Sequence, residues 1–173
     1  SAALRGTIHW RNDDTTGPAG PVNPIPSDLW TPNAAYLPAS GNYVHLESDP
    51  GDWIGQGVSH TYTAPDDPIA LTASGGKLSV SVAGWGGDFV AMLGTVPLTI
   101  GYYGGLQRYP FNNPAKGGLD WSGYGRGCNT LTGWFAVDRI LYDGTTVTAF
   151  DMRFEQHCEG GAPALRGAIH WSA

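Results

Sequence analysis

The stretch LTGWFAVDRILYDGTTVTAFDMRFEQH, Leu131 to His157, decides the fold class. Two runs in which apolar and polar residues alternate flank Tyr142-Asp143-Gly144. A period of two marks a half-buried strand, and an Asp-Gly step between two such runs marks a hairpin turn. A three-residue loop at Tyr142-Asp143-Gly144 sets Leu141 opposite Thr145 and Cys128 opposite Cys158. A two-residue turn makes the cysteine pair diagonal. Both registers turn an apolar face inward, so periodicity leaves them open.

Outward from this hairpin the same period recurs. It is visible at Tyr43 to Glu47, at Val58, His60 and Tyr62, and at Leu78, Val80 and Val82. Phe89 to Leu93 and Val96 to Tyr103 are apolar runs of strand length. Asp49-Pro50-Gly51-Asp52, Pro65 to Pro68, Ser74-Gly75-Gly76 and Gly84 to Gly87 punctuate them. Good helix formers are scarce: three Glu, three Gln, two Lys and two Met stand against 26 Gly and 13 Pro. Turn signals about every ten residues predict an all-β, single-domain β-sandwich or jelly roll.

The octapeptide ALRGTIHW, Ala3 to Trp10, returns as ALRGAIHW at Ala164 to Trp171, changed at one position. The spacing is that of a whole domain, as in a tandem array. Residues 1–10 then form the last strand of a preceding copy, or a strand of an internally symmetric module. Leu4, Ile8 and Trp10 share one face, as do Leu165, Ile169 and Trp171. Residues 11–28, with Pro18, Pro21, Pro24 and Pro26, have linker composition, and the module proper spans 29–173. From Gly104 to Asn129 the alternation stops, which predicts a long ordered loop outside the sheets, held by its aromatics.

Net charge of −6 and nine scattered basic residues exclude a basic stripe for nucleic acid, and no apolar run is long enough to span a membrane. Catalytic signatures such as GxSxG, HExxH and phosphate-binding loops are absent, so the chain is not expected to be an enzyme. Cys158 adjoins His157, but neighbours on a strand face opposite ways. The pair Cys128 and Cys158 is therefore expected as a structural disulfide, which implies an oxidising compartment. Glu47, Asp49 and Asp52 offer oxygen ligands of the kind calcium takes, although Asp also flanks turns for the sake of local backbone bonds. The five histidines lack metal-ligand spacing. Seven Trp and eight Tyr are the positive signal. Trp10, Trp134 and Trp171 read as core. Trp85, Tyr102, Tyr103, Tyr109, Trp121 and Tyr124 lie instead among Gly, Asn and Arg, and with Arg108, Asn112, Asn113 and Arg126 they form the expected ligand-binding set. Flat rings stack while amide and guanidinium groups orient a partner.

At LESDPGDWIGQG (Leu46 to Gly57), GLQRYPFNNPAKGGLDWSGYGRGCNTLTGWF (Gly105 to Phe135) and RFEQHCEGGAPALRG (Arg153 to Gly167) the chain resembles a β-rich module repeated in large secreted bacterial proteins. The resemblance implies secretion and tandem repetition, and it assigns no catalytic residue. The expected function is a non-catalytic extracellular module whose partners are neighbouring copies and a surface polysaccharide or protein. The alternatives are a purely structural spacer or filament subunit, and a glycan-active hydrolase with two facing carboxylates.

Overall fold

The computed structural model describes residues 21–93 and 95–173. The octapeptide Ala3 to Trp10, the linker residues before Pro21, and the inward placement of Trp10 lie outside the described residues. The fold is all-β, with no helix of seven or more residues among those described. Ten strands form one sheet: β1 (Tyr43–Ser48), β2 (His60–Thr63), β3 (Ala70–Ser74), β4 (Lys77–Val82), β5 (Trp85–Val90), β6 (Gly101–Arg108), β7 (Gly118–Gly123), β8 (Leu131–Asp143), β9 (Thr146–Cys158) and β10 (Leu165–Ser172). Their spatial order is β2-β1-β10-β9-β8-β6-β7-β5-β4-β3. The sandwich-like body is this single sheet curled into a half-barrel.

The curl encloses an aromatic core. Phe89 of β5 meets Phe135 of β8 and Phe154 of β9, with ring centroids 5.7 and 5.3 Å apart. Trp121 of β7 lies 5.1 Å from Phe154, and Tyr103 of β6 stacks on Phe135 at 4.5 Å. All five rings are buried, which removes about 150–250 Å² of surface per ring from water. Glycines make room for several of them. A Cβ on Gly87 would overlap the Trp121 indole, and one on Gly167 would overlap the Phe154 ring.

Strands β1, β4, β8, β9 and β10 appear where alternation predicts them, and the inward face of β10 carries Leu165, Ile169 and half-buried Trp171. The hairpin register differs from expectation. The turn falls on Gly144-Thr145, with Asp143 opposite Thr146. Asp138 and Thr148 are each an extra residue in the ladder, since Val137 opposes Met152 and Arg139 opposes Asp151, while Leu141 opposes Ala149 and Tyr142 opposes Val147. Cys158 therefore faces Leu131, and Cys128 reaches it from three residues beyond the ladder. The Cys128–Cys158 disulfide forms and clips the open end of the hairpin, as expected.

The stretch Gly104 to Asn129 is not a loop outside the sheets. It contains the end of β6 and the whole of β7, which pairs antiparallel with β5 throughout and parallel with β6 at Gly118 and Leu119. Beyond Leu119 no strand among the described residues lies on the β6 side of β7. There the Gln156 side chain, reaching across the interior from β9, takes the place of a strand. Its Oε1 accepts from the Trp121 amide at 2.9 Å and its Nε2 donates to the Trp121 carbonyl at 2.8 Å. Trp134, expected in the core, stands half-buried with Tyr102, and its indole donates to Glu155. Within the linker, Val22 exchanges two backbone hydrogen bonds with Tyr102 of β6, so this end of the Pro-rich segment belongs to the module.

Candidate functional site

The curl brings β2 against the start of β5. There the Trp85 indole donates to the Tyr62 hydroxyl at 2.8 Å, joining two distant parts of the sheet. The His60 ring stacks on Tyr62 and tilts toward Trp85. Over this seam lies the turn that ends β7. Tyr124 has a left-handed backbone, φ 52°, an uncommon state for a residue with a bulky side chain. Its hydroxyl donates to the Ala83 carbonyl, its ring meets Trp85 edge-on at 5.2 Å, and it packs against Gly84, 3.3 Å from where a Cβ would stand. Even so, 60% of Tyr124 is exposed. Arg126 sits 5.8 Å above the Trp85 ring and 5.9 Å from that of Tyr124. Its Nε donates to the Ile54 carbonyl at 2.7 Å, and its two terminal nitrogens meet no acceptor among the described residues. Trp53, one residue before Ile54, is 57% exposed. Burial first, and then the neighbouring Tyr124 phenol, hold the Tyr62 hydroxyl protonated above its usual range.

The ten expected binding residues divide. Tyr124 and Arg126 meet at the seam, with Trp85 beneath them as a buried floor. Tyr103 and Trp121 are fully buried and offer no face to a ligand. Their place in the expected set is corrected by the inward turn of β6 and β7. Tyr102 is half-buried against Trp134. Arg108 lies over the exposed Phe111 ring and 3.7 Å from Asp120. Tyr109 and Asn112 line a hollow of about 280 Å³ with Met92, Leu93, Val96 and Pro114, on a different part of the surface. Asn113 is exposed and accepts from the Ala115 amide.

The three residues expected as calcium ligands are engaged with other partners. Asp52 is buried and accepts from the Ser48 hydroxyl and from the Ile54 and Gly55 amides, closing the turn after β1. Asp49 accepts from Arg166 and from the Ala164 amide. Glu47 accepts from the Trp30 indole and pairs with His45. The three side chains serve separate networks, and no group of metal-ligating side chains among the described residues could hold an ion. The turn-forming alternative accounts for Asp52.

Sequence inspection missed one arrangement of carboxylates. Asp88 and Asp120 are direct partners on β5 and β7 and face outward. Lys77 and Ser79 bond Asp88, while Ser122 and Arg108 flank Asp120. Burial first, with Asp88 adding to it, pushes the Asp120 carboxyl above the usual range. Like charges opposite one another on a sheet are destabilising, and the flanking cations offset that. Tyr62 and His60 were also missed as members of the seam. Only the pairing of distant strands identifies them. In comparisons with known proteins, no family model, no curated protein and no solved structure matches the chain.

Proposed function

We propose that the chain is a non-catalytic module of a secreted or cell-surface array that binds a glycan through the seam where Tyr124 and Arg126 meet over Trp85. The observation that carries this reading is the preorganisation of Tyr124 and Arg126. An exposed ring is fixed by its own hydroxyl and by a T-shaped contact, beside a guanidinium whose Nε is anchored and whose other nitrogens are uncommitted. A fixed ring suits the C–H face of a sugar, and the fork of N–H donors suits its hydroxyls. Side chains already held in place lose little entropy on binding, and strained backbone such as that of Tyr124 gathers at binding sites. The disulfide is compatible with an oxidising, extracellular setting. No helix among the described residues is long and apolar enough to cross a membrane.

The test is a glycan array followed by titration of the best ligand. Arg126→Ala and Tyr124→Ala should each weaken binding about tenfold, or about 1.4 kcal/mol. Unchanged affinity in both variants removes the seam from the argument. Capture of a surface protein with no glycan bound moves the partner to the protein class.

A further inference from the structure

We infer that the sugar taken by the seam is an acidic one, bearing a carboxylate as a hexuronic acid does, and that Arg126 selects it. The inference rests on the glycan reading proposed above and narrows it to one chemical class.

The argument starts from charge. Asp and Glu outnumber Lys and Arg by 15 to 9 in this chain, so an arginine on its surface has carboxylates close at hand. The other described arginines take them. Arg108 lies 3.7 Å from Asp120, Arg139 lies 3.4 Å from Asp151, Arg153 lies 2.8 Å from Asp138, and Arg166 reaches both Asp49 and Glu155. Arg126 has no carboxylate partner among the described residues. Its side chain donates from Nε to the neutral Ile54 carbonyl and otherwise meets two aromatic rings. The carboxylates of the turns that adjoin the seam are committed elsewhere. Asp52 accepts from the Ser48 hydroxyl and from the Ile54 and Gly55 amides, and Asp67 accepts from the Thr63 amide at 3.3 Å.

The uncompensated charge is also held in place. Tyr124 and Gly125, with φ 52° and 75°, are the central residues of a tight turn whose ends, Gly123 and Arg126, exchange backbone hydrogen bonds of 3.1 and 2.9 Å. Positive φ at both central positions is the compact form used by two-residue hairpins. With its backbone fixed by this turn and its Nε by Ile54, Arg126 presents its two terminal nitrogens together. Two parallel N–H donors match the two oxygens of a carboxylate, and bonds of this charged kind are about twice as strong as neutral ones. A sugar hydroxyl can use one such donor, but only an anion also supplies the missing charge. Arg126 is half-buried, and salt screens such a charge less than one standing fully in water. A hexuronate carries its carboxyl on the ring carbon beside the ring oxygen. A sugar laid against Tyr124 can therefore turn that group to a guanidinium carbon 5.9 Å from the centre of the tyrosine ring. A sulfate ester shares the charge, and the test separates the two.

The test is an array on which each carboxylate-bearing glycan is printed beside its carboxyl-reduced, neutral counterpart and beside a sulfated form of that counterpart. The full chain should bind the acid form at least about tenfold more tightly than the neutral one, and more tightly than the sulfated one. The ratio of acid to neutral should fall toward one as salt is raised to about 1 M, where the screening length is about 3 Å. In Arg126→Gln it should be about one at low salt. Arg126→Lys, which keeps the charge without the fork, should fall between. Tyr124→Ala should weaken both members alike. Equal binding of acid and neutral forms by the parent chain overturns the inference without any variant. Preference for the sulfated form, or a ratio that survives Arg126→Gln, overturns it as well. Equal binding that still falls in Tyr124→Ala leaves the glycan reading standing, whereas no binding to any member removes both.

Discussion

Replacing Gln156 tests whether one side chain stands in for a missing strand. Gln156 is fully buried, and its amide holds both backbone groups of Trp121 where β7 has lost its β6 neighbour. In Gln156→Leu the shape is nearly kept, and a buried N–H and a buried C=O lose their partners. Each unsatisfied group costs about 1–3 kcal/mol, so the variant should lose about 2–6 kcal/mol, less whatever the added apolar burial returns. Gln156→Glu is the sharper variant. A protonated carboxyl has one donor and one acceptor, enough to reproduce both bonds. An ionised one cannot donate to the Trp121 carbonyl and brings a charge into the core, which raises its folded-state pKa. Stability linked to a raised pKa is present below the unfolded value, near 4.3, and is lost as pH rises through the folded value. A rise of two to three units corresponds to about 3–4 kcal/mol at pH 7. Urea unfolding followed by tryptophan fluorescence, disulfide intact, should give a deficit of that size at pH 7 that shrinks toward 1 kcal/mol near pH 4. A Gln156→Leu variant within about 0.5 kcal/mol of the parent, or a Gln156→Glu deficit that ignores pH, would refute the reasoning.

Two further predictions concern the scaffold. Cys128→Ser with Cys158→Ser should cost about 3–4 kcal/mol, from the unfolded-chain entropy of a loop closed across 30 residues, and equal urea midpoints with and without the bridge would contradict this. Arg166 donates to both Asp49 and Glu155. Its hydrogen bonds hold Asp49 below the usual carboxylate range, and in Glu155, where burial acts upward, the bonds from Arg166 and His157 outweigh it. A depressed pKa gives stability that is present above about pH 4 and lost as pH falls through the folded value. Arg166→Met should therefore cost about 1–3 kcal/mol at pH 7, allowing for the solvent that reaches Asp49, and much less at pH 2. A gap that does not narrow in acid would point to lost packing instead.

How far the sequence foretold this molecule depends on its glycines. Strands whose inward residues are aliphatic or phenylalanine, such as β4 and β9, announce themselves by alternation. β5 and β7 do not, because Gly86-Gly87, Gly118 and Gly123 read as breakers. In the fold, Gly87 leaves room for Trp121, and Gly123 for Trp85. Counted as inward positions, Trp85, Gly87 and Phe89 would have shown the period of two. The same misreading made Gly104 to Asn129 a loop and put Trp121 on its surface. The hairpin register was hidden for another reason: two bulges and a turn shifted to Gly144-Thr145 leave no compositional trace. At the seam, Tyr124 and Arg126 were visible as a ring and a guanidinium two residues apart. Tyr62 and Ile54 join them only through the curl.

The position of β10 also sets when the module can close. Among the described residues β1 is hydrogen-bonded to β2 and β10, and β10 follows the other nine strands in sequence. As the chain is synthesised or threaded end first, Val44 and Leu46 wait without their partner strand until residues 165–172 emerge. The β8–β9 hairpin can form from local contacts, but the sheet stays divided into two unjoined parts. Pairing between such distant segments carries a loop-closure cost and slows folding. Completion of the sheet is therefore tied to the arrival of β10, which joins β1 and β2 to the other strands.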